Sequence, residues 1–171
     1  MFELKRITRQ GIPHALAKAE RYRLLNEPQE AESICRDILA IDPDNQDVLV
    51  MLLLAITDQF GRRAGVGAGD AQKILGKLRG EYERAYYAGV IAERWAKSRL
   101  RDGEHHAMAS GFFSDAMGWY TRAMALAPAG NDDAILRWNA CVRFLEQNPH
   151  LGTETEEEVS ESGFSEGAPG R

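Results

Sequence analysis

The sequence predicts an all-α protein built as an α-solenoid, and three observations carry that expectation. Nowhere do apolar and polar residues alternate with the period of two that a half-buried strand requires. Ala31, Cys35, Ile38 and Pro43 recur, in the same spacing, as Ala116, Tyr120, Ala123 and Pro128. Each copy also closes alike, with an apolar helix tail, then a proline, then an asparagine: Asn45 after Pro43, Asn131 after Pro128. A small residue, a larger one four later and a helix-ending proline describe the second helix of a packed pair. Repetition of such a unit points to stacked pairs, about three here plus a C-terminal capping helix.

The elements follow in order. Residues 1–12 are a lead-in. Pro13 opens a helix, since a first-turn proline loses no needed hydrogen bond. Leu16, Ala19, Tyr22 and Leu24 or Leu25 then fall on one face. Asn26-Glu27-Pro28 breaks the chain and restarts it. The second helix runs to about Ala40, with Ala31, Ile34, Cys35, Ile38 and Leu39 inward. Asp42-Pro43-Asp44-Asn45 is a turn containing a cap, and a third helix spans about 46–60. Gly61 to Gly69 is a glycine-rich loop. Asp70 is the expected N-cap of a short helix over 71–78. Long helices follow over about 81–100 and 105–127. Asn131 or Asp132 caps the last, about 133–147, which Asn148-Pro149 stops.

Composition narrows the function. The segment 152–171 holds six Glu and one Arg, so it carries the whole formal charge of −5. The remaining residues balance, so no bulk basic field exists for nucleic acid or an anionic membrane. A segment so poor in apolar groups cannot offset its ordering entropy, and residues 151–171 are expected to be a disordered acidic tail. Phe164 within it is a docking anchor or a chance residue; Ser160, Ser162 and Ser165 are modification sites or plain solvating sequence. The longest apolar run, Val48 to Ile56, is about half a membrane span. No apolar leader precedes the helices, and Cys35 and Cys141 lack metal spacing, so buried thiols and a cytoplasmic location are expected.

The pattern resembles the tetratricopeptide repeat family over about residues 13–147. Ala19 and Tyr22 match the family's first helix. Ala31, Cys35, Ile38 and Pro43 match its second, with Cys35 and Ile38 as departures. Ala116, Tyr120, Ala123 and Pro128 match better, with Gly89 at the glycine position and Ala85 and Ala92 near theirs. The middle repeat diverges: Leu49, Leu52, Leu53 and Ile56 fit, but its second helix is short and lacks the closing proline. Trp138 replaces a small residue in the capping helix. The resemblance implies a right-handed solenoid and a non-catalytic scaffold or adaptor that binds a peptide segment or C-terminus of another protein in its concave groove. That groove would draw on Glu20, Arg23, Thr57, Tyr86, Val90, Arg94, Asn139 and Arg143, with Arg23, Tyr86, Arg94, Asn139 and Arg143 as the binding residues. Arg94, Asn139 and Arg143 partly resemble a carboxylate clamp, without its full set of asparagines and basic residues.

The alternatives are a homodimer through the 81–127 hairpin, with Trp95 or Trp119 in the interface, and a small-ligand carrier with loop 61–69 as its lid. Catalysis is not expected: Ser98, Ser110 and Ser114 have no strained elbow and no placed histidine. Nor is any cofactor or metal, because His105 and His106 point about 100° apart on a helix. The glycine-rich loop lacks both the Lys-Ser/Thr ending and the preceding strand of a phosphate loop.

Overall fold

A computed structural model describes residues 2–101 and 106–151, side chains 106 and 107 excepted. Its elements are α1 (Ile12–Leu24), α2 (Pro28–Leu39), α3 (Gln46–Thr57), α4 (Ala68–Leu75), α5 (Glu81–Arg101), α6 (His106–Leu126) and α7 (Asp133–Gln147). Single 3-10 turns at Arg9–Gly11 and Pro149–Leu151 flank them, and no strand occurs among the described residues. The all-α expectation is met.

Local chemistry sets the boundaries. Thr8 accepts a hydrogen bond from the Gly11 N–H (3.2 Å) ahead of α1, and Pro13 lies in its first turn. Asn26 ends that helix in the left-handed region (φ 61°), which asparagine tolerates better than most residues. Pro28 opens α2. Asn45 caps α3 by accepting from the Val48 N–H (3.2 Å). Asp132 holds the N-cap position of α7 without a side-chain bond, and Asn131 before it supplies the oxygen: its Oδ1 accepts from the Asp133 N–H (3.0 Å) and from the Tyr82 hydroxyl (3.0 Å).

One element differs from expectation. The short helix starts at Ala68, not 71, and ends at Leu75. Asp70 is therefore not its N-cap. It sits one turn inside and its carboxylate accepts from the Gly67 N–H (3.3 Å), the return half of a capping box. Ala68 and Gly69, the loop's last two residues, are thus helical, and Ala71 behind them is fully buried.

Packing runs chiefly between consecutive helices, α1 on α2 through α6 on α7, with α1–α3 and α3–α5 contacts as well. Ala31, Cys35, Ile38 and Ala116, Tyr120, Ala123 are all fully buried, so the repeated spacing is a core signature. The nearly all-apolar α3 buries Val48, Leu49, Leu52, Leu53, Ala55 and Ile56, being covered on several sides. A second apolar cluster joins α5, α6 and α7 around Phe113 and Tyr120. Gly89 lets α5 and α6 approach: a Cβ there would stand 2.5 Å from the Tyr120 ring. Leu151, expected at the start of the acidic tail, is instead buried in this second cluster. The rest of the tail, with Phe164 and its serines, and the His105–His106 side chains lie outside the described residues.

Candidate functional site

The end of α3, the turn after it, one face of α5 and the end of α7 enclose a cleft of about 590 Å³. Thr57, Asp58 and Arg62 supply one wall, Arg94, Lys97, Leu100 and Arg101 a second. Phe144, Asn148 and His150 close the third. The helical period explains the second wall. Arg94, Lys97 and Arg101 are three and seven residues apart, so they share one stripe of α5. Four fixed cations and one carboxylate, Asp58, thus line the cleft beside the apolar Leu100 and Phe144.

Asp58 is a bridge. Its Oδ2 accepts from Arg23 Nε (2.7 Å) and its Oδ1 from Arg94 Nη1 (2.6 Å), tying α1 and α5 to the end of α3. Arg94 Nη1 also donates to Thr57 Oγ1 (2.6 Å) and the Leu54 carbonyl (3.2 Å). Burial lowers the Arg94 pKa, and Asp58 opposes that fall, so the guanidinium is held in place as a partly buried cation. Arg62 reaches back to Asn26 Oδ1 (2.6 Å), and Arg101 Nη2 donates to the Phe60 carbonyl (3.0 Å).

Behind the α5 stripe lies a buried charge. Glu93 is 1% exposed. Its Oε1 accepts from Lys97 Nζ (2.6 Å), with Arg137 Nη1 at 3.5 Å, and its Oε2 accepts from the Tyr120 hydroxyl (2.7 Å). Burial pushes the Glu93 carboxyl up, but the Lys97 and Tyr120 hydrogen bonds and the Lys97 and Arg137 charges outweigh it and hold it below the usual range. The same burial, together with the Glu93 charge, drives the Tyr120 hydroxyl far upward, so it stays a donor. This network fixes Lys97, whose ammonium also lies 5.2 Å from the centre of the Phe144 ring.

Of the residues the sequence singled out, Arg94 lines the cleft and Arg23 joins it through Asp58. Tyr86 does not; it stacks on Tyr82 (5.8 Å between ring centres) and meets Tyr87 edge-on (5.0 Å). Half-buried Asn139 and exposed Arg143 lie on α7 outside the cleft lining, so the clamp of Arg94, Asn139 and Arg143 is not assembled there. Lys97, Arg101, Phe144 and His150 are additions from the structure. Only the α5 stripe had a sequence signal.

Two further surfaces bear on the alternatives. Trp95, Phe112, Trp119 and Leu75 border a cleft of about 220 Å³ between α4 and α6, where Trp119 is 40% exposed. The glycine-rich turn packs by Gly67 near the Trp95 ring, and its Arg63 reaches Glu32 (3.5 Å). Among the described residues no cluster suits a metal ion, and no helix is long and apolar enough to cross a membrane. Comparison with protein-family models, with curated proteins and with solved structures gave no significant match.

Proposed function

We propose that this chain is a non-catalytic scaffold, a right-handed solenoid of tetratricopeptide type, that holds an acidic peptide segment of a partner protein. The cleft bordered by Arg62, Arg94, Lys97 and Arg101 is the site. The observation that carries this reading is the excess of fixed cations over carboxylates beside an apolar wall. Arg94 and Lys97 are anchored by Asp58 and Glu93 and lose little freedom on binding, whereas Arg62 and Arg101 lie at the exposed rim. Rim charges act mainly on association rate and salt dependence, and the apolar wall offers a slot for one large side chain. The buried repeat residues and the sequential packing of helices support the solenoid half of the reading.

The test is fluorescence anisotropy with a labelled Glu-rich peptide containing one Phe, against its Lys-substituted counterpart. Binding of the acidic peptide alone is expected, weakened about tenfold by Arg62→Gln with Arg101→Gln, since each lost charge contact is worth up to about 1 kcal/mol. Equal binding of both peptides would sink the reading.

Trp119, exposed beside the α4–α6 cleft, favours a second reading, self-association through the α5–α6 hairpin. Sedimentation at micromolar concentration decides it: a strict monomer ends the idea.

A further inference from the structure

The described residues end at the edge of the basic cleft. His150 lines that cleft, and Leu151, the next residue, is fixed in the α5–α6–α7 core. Beyond it come Glu154, Glu156, Glu157 and Glu158 in one run, then Phe164, the sole aromatic of residues 152–171. An extended residue spans roughly 3.5 Å, so the glutamate run lies within about 14–28 Å of chain from His150. That reach covers the cleft from its own border. The chain's entire negative excess is thus tethered beside Arg62, Arg94, Lys97 and Arg101, and Phe164 follows within reach of Leu100 and Phe144.

We infer that residues 152–171 are an intramolecular ligand of this cleft, which a partner's acidic segment must displace. The inference rests on the reading of the cleft as an acidic-peptide site. The glutamates meet Arg62, Lys97 and Arg101, and Phe164 meets the apolar wall. A tether of only a few residues gives an effective concentration on the order of 1 mM. If the same sequence binds in trans at about 100 μM, the cleft is closed in about ten molecules of eleven, and a competitor binds about tenfold more weakly.

The experiment uses the full chain, wild type and a variant with Glu154, Glu156, Glu157 and Glu158 all changed to Gln. Length and tether are preserved. The probe is a fluorescein-labelled peptide with the sequence of residues 152–171, followed by anisotropy. The neutralised chain is expected to bind it about tenfold more tightly than wild type, and the gap to close at about 0.5 M salt, where the Debye length falls below the cleft's dimensions. Adding Arg62→Gln and Arg101→Gln to the neutralised chain is expected to abolish the gain. Equal, measurable affinity for both chains would overturn the cis contact and leave the cleft's reading standing. No binding to either chain would overturn both. A gain that persists after the arginine changes would place the segment elsewhere and overturn the inference.

Discussion

Gly89→Ala tests whether α5 and α6 meet as described. Two effects oppose each other. Alanine in a helix interior is favoured over glycine by about 1 kcal/mol. The new Cβ, however, would stand 2.5 Å from Tyr120 Cε1 and 2.7 Å from Cδ1. Tyr120 is fully buried, and its hydroxyl is committed to Glu93 at 2.7 Å, so the ring has no cheap way to retreat. Overpacking of this kind costs about 1–3 kcal/mol. Displacing the ring also strips a donor from a buried carboxylate, about 1.5–3 kcal/mol more. The net expectation is a loss of about 2–4 kcal/mol, read as a lower urea midpoint by circular dichroism. Gly118→Ala is the control. It lies inside α6 with nothing within 4 Å of its would-be Cβ, so it should stabilise by about 1 kcal/mol. A Gly89→Ala chain as stable as wild type, beside a stabilised Gly118→Ala, would refute the close approach and the Glu93–Tyr120 contact built on it.

Other outcomes follow from the same contacts. Because Glu93 is held below the usual carboxyl range, its contribution is full above about pH 4.5 and is lost as acid protonates it in the fold. Acid unfolding should therefore be shallower in Glu93→Gln, measured as midpoint against pH. Burial pushes the Cys35 and Cys141 thiols up to about 12. The unfolded chain loses these protons from about pH 9, so stability should fall between about pH 9 and 12, seen in thermal melts with reductant present. Asp58→Asn removes the carboxylate shared by Arg23 and Arg94, whose side chains are only 20% and 21% exposed. It should cost about 2 kcal/mol, below the usual figure for a fully buried pair because water still reaches this one. Chemical denaturation measures it, and a neutral result would show that the bridge adds nothing.

Prolines and the repeated small-large spacing made most of the helices legible, since backbone rules act locally. The start of α4 was not legible. Gly67 and Gly69 read as loop, and the bond from the Gly67 N–H to Asp70 at the helix start is seen only in the fold. Which neighbour's side chain bonds the start of α7 was not legible either, because Asn131 is also held by Tyr82, a contact between residues 49 apart. The cleft was half legible. Arg94 stood out through its place on a first helix, but Lys97 and Arg101 at helical spacing look like an ordinary solvated face. They become a site only when the end of α3 and Phe144 of α7 are folded against them. Asn139 and Arg143 were drawn from the resemblance, and the register of α7 leaves them outside the cleft.

The cleft as an acidic-peptide site is tested most directly by a nuclear magnetic resonance titration. The ¹⁵N-labelled full chain, with the four glutamates from Glu154 to Glu158 neutralised, receives the Glu-rich peptide. The expected result is that shifted amides cluster at 57–62, 94–101 and 144–150, with saturation weakened by salt. Shifts gathered instead around Leu75, Ala88 and Trp119, or none at all, would contradict it.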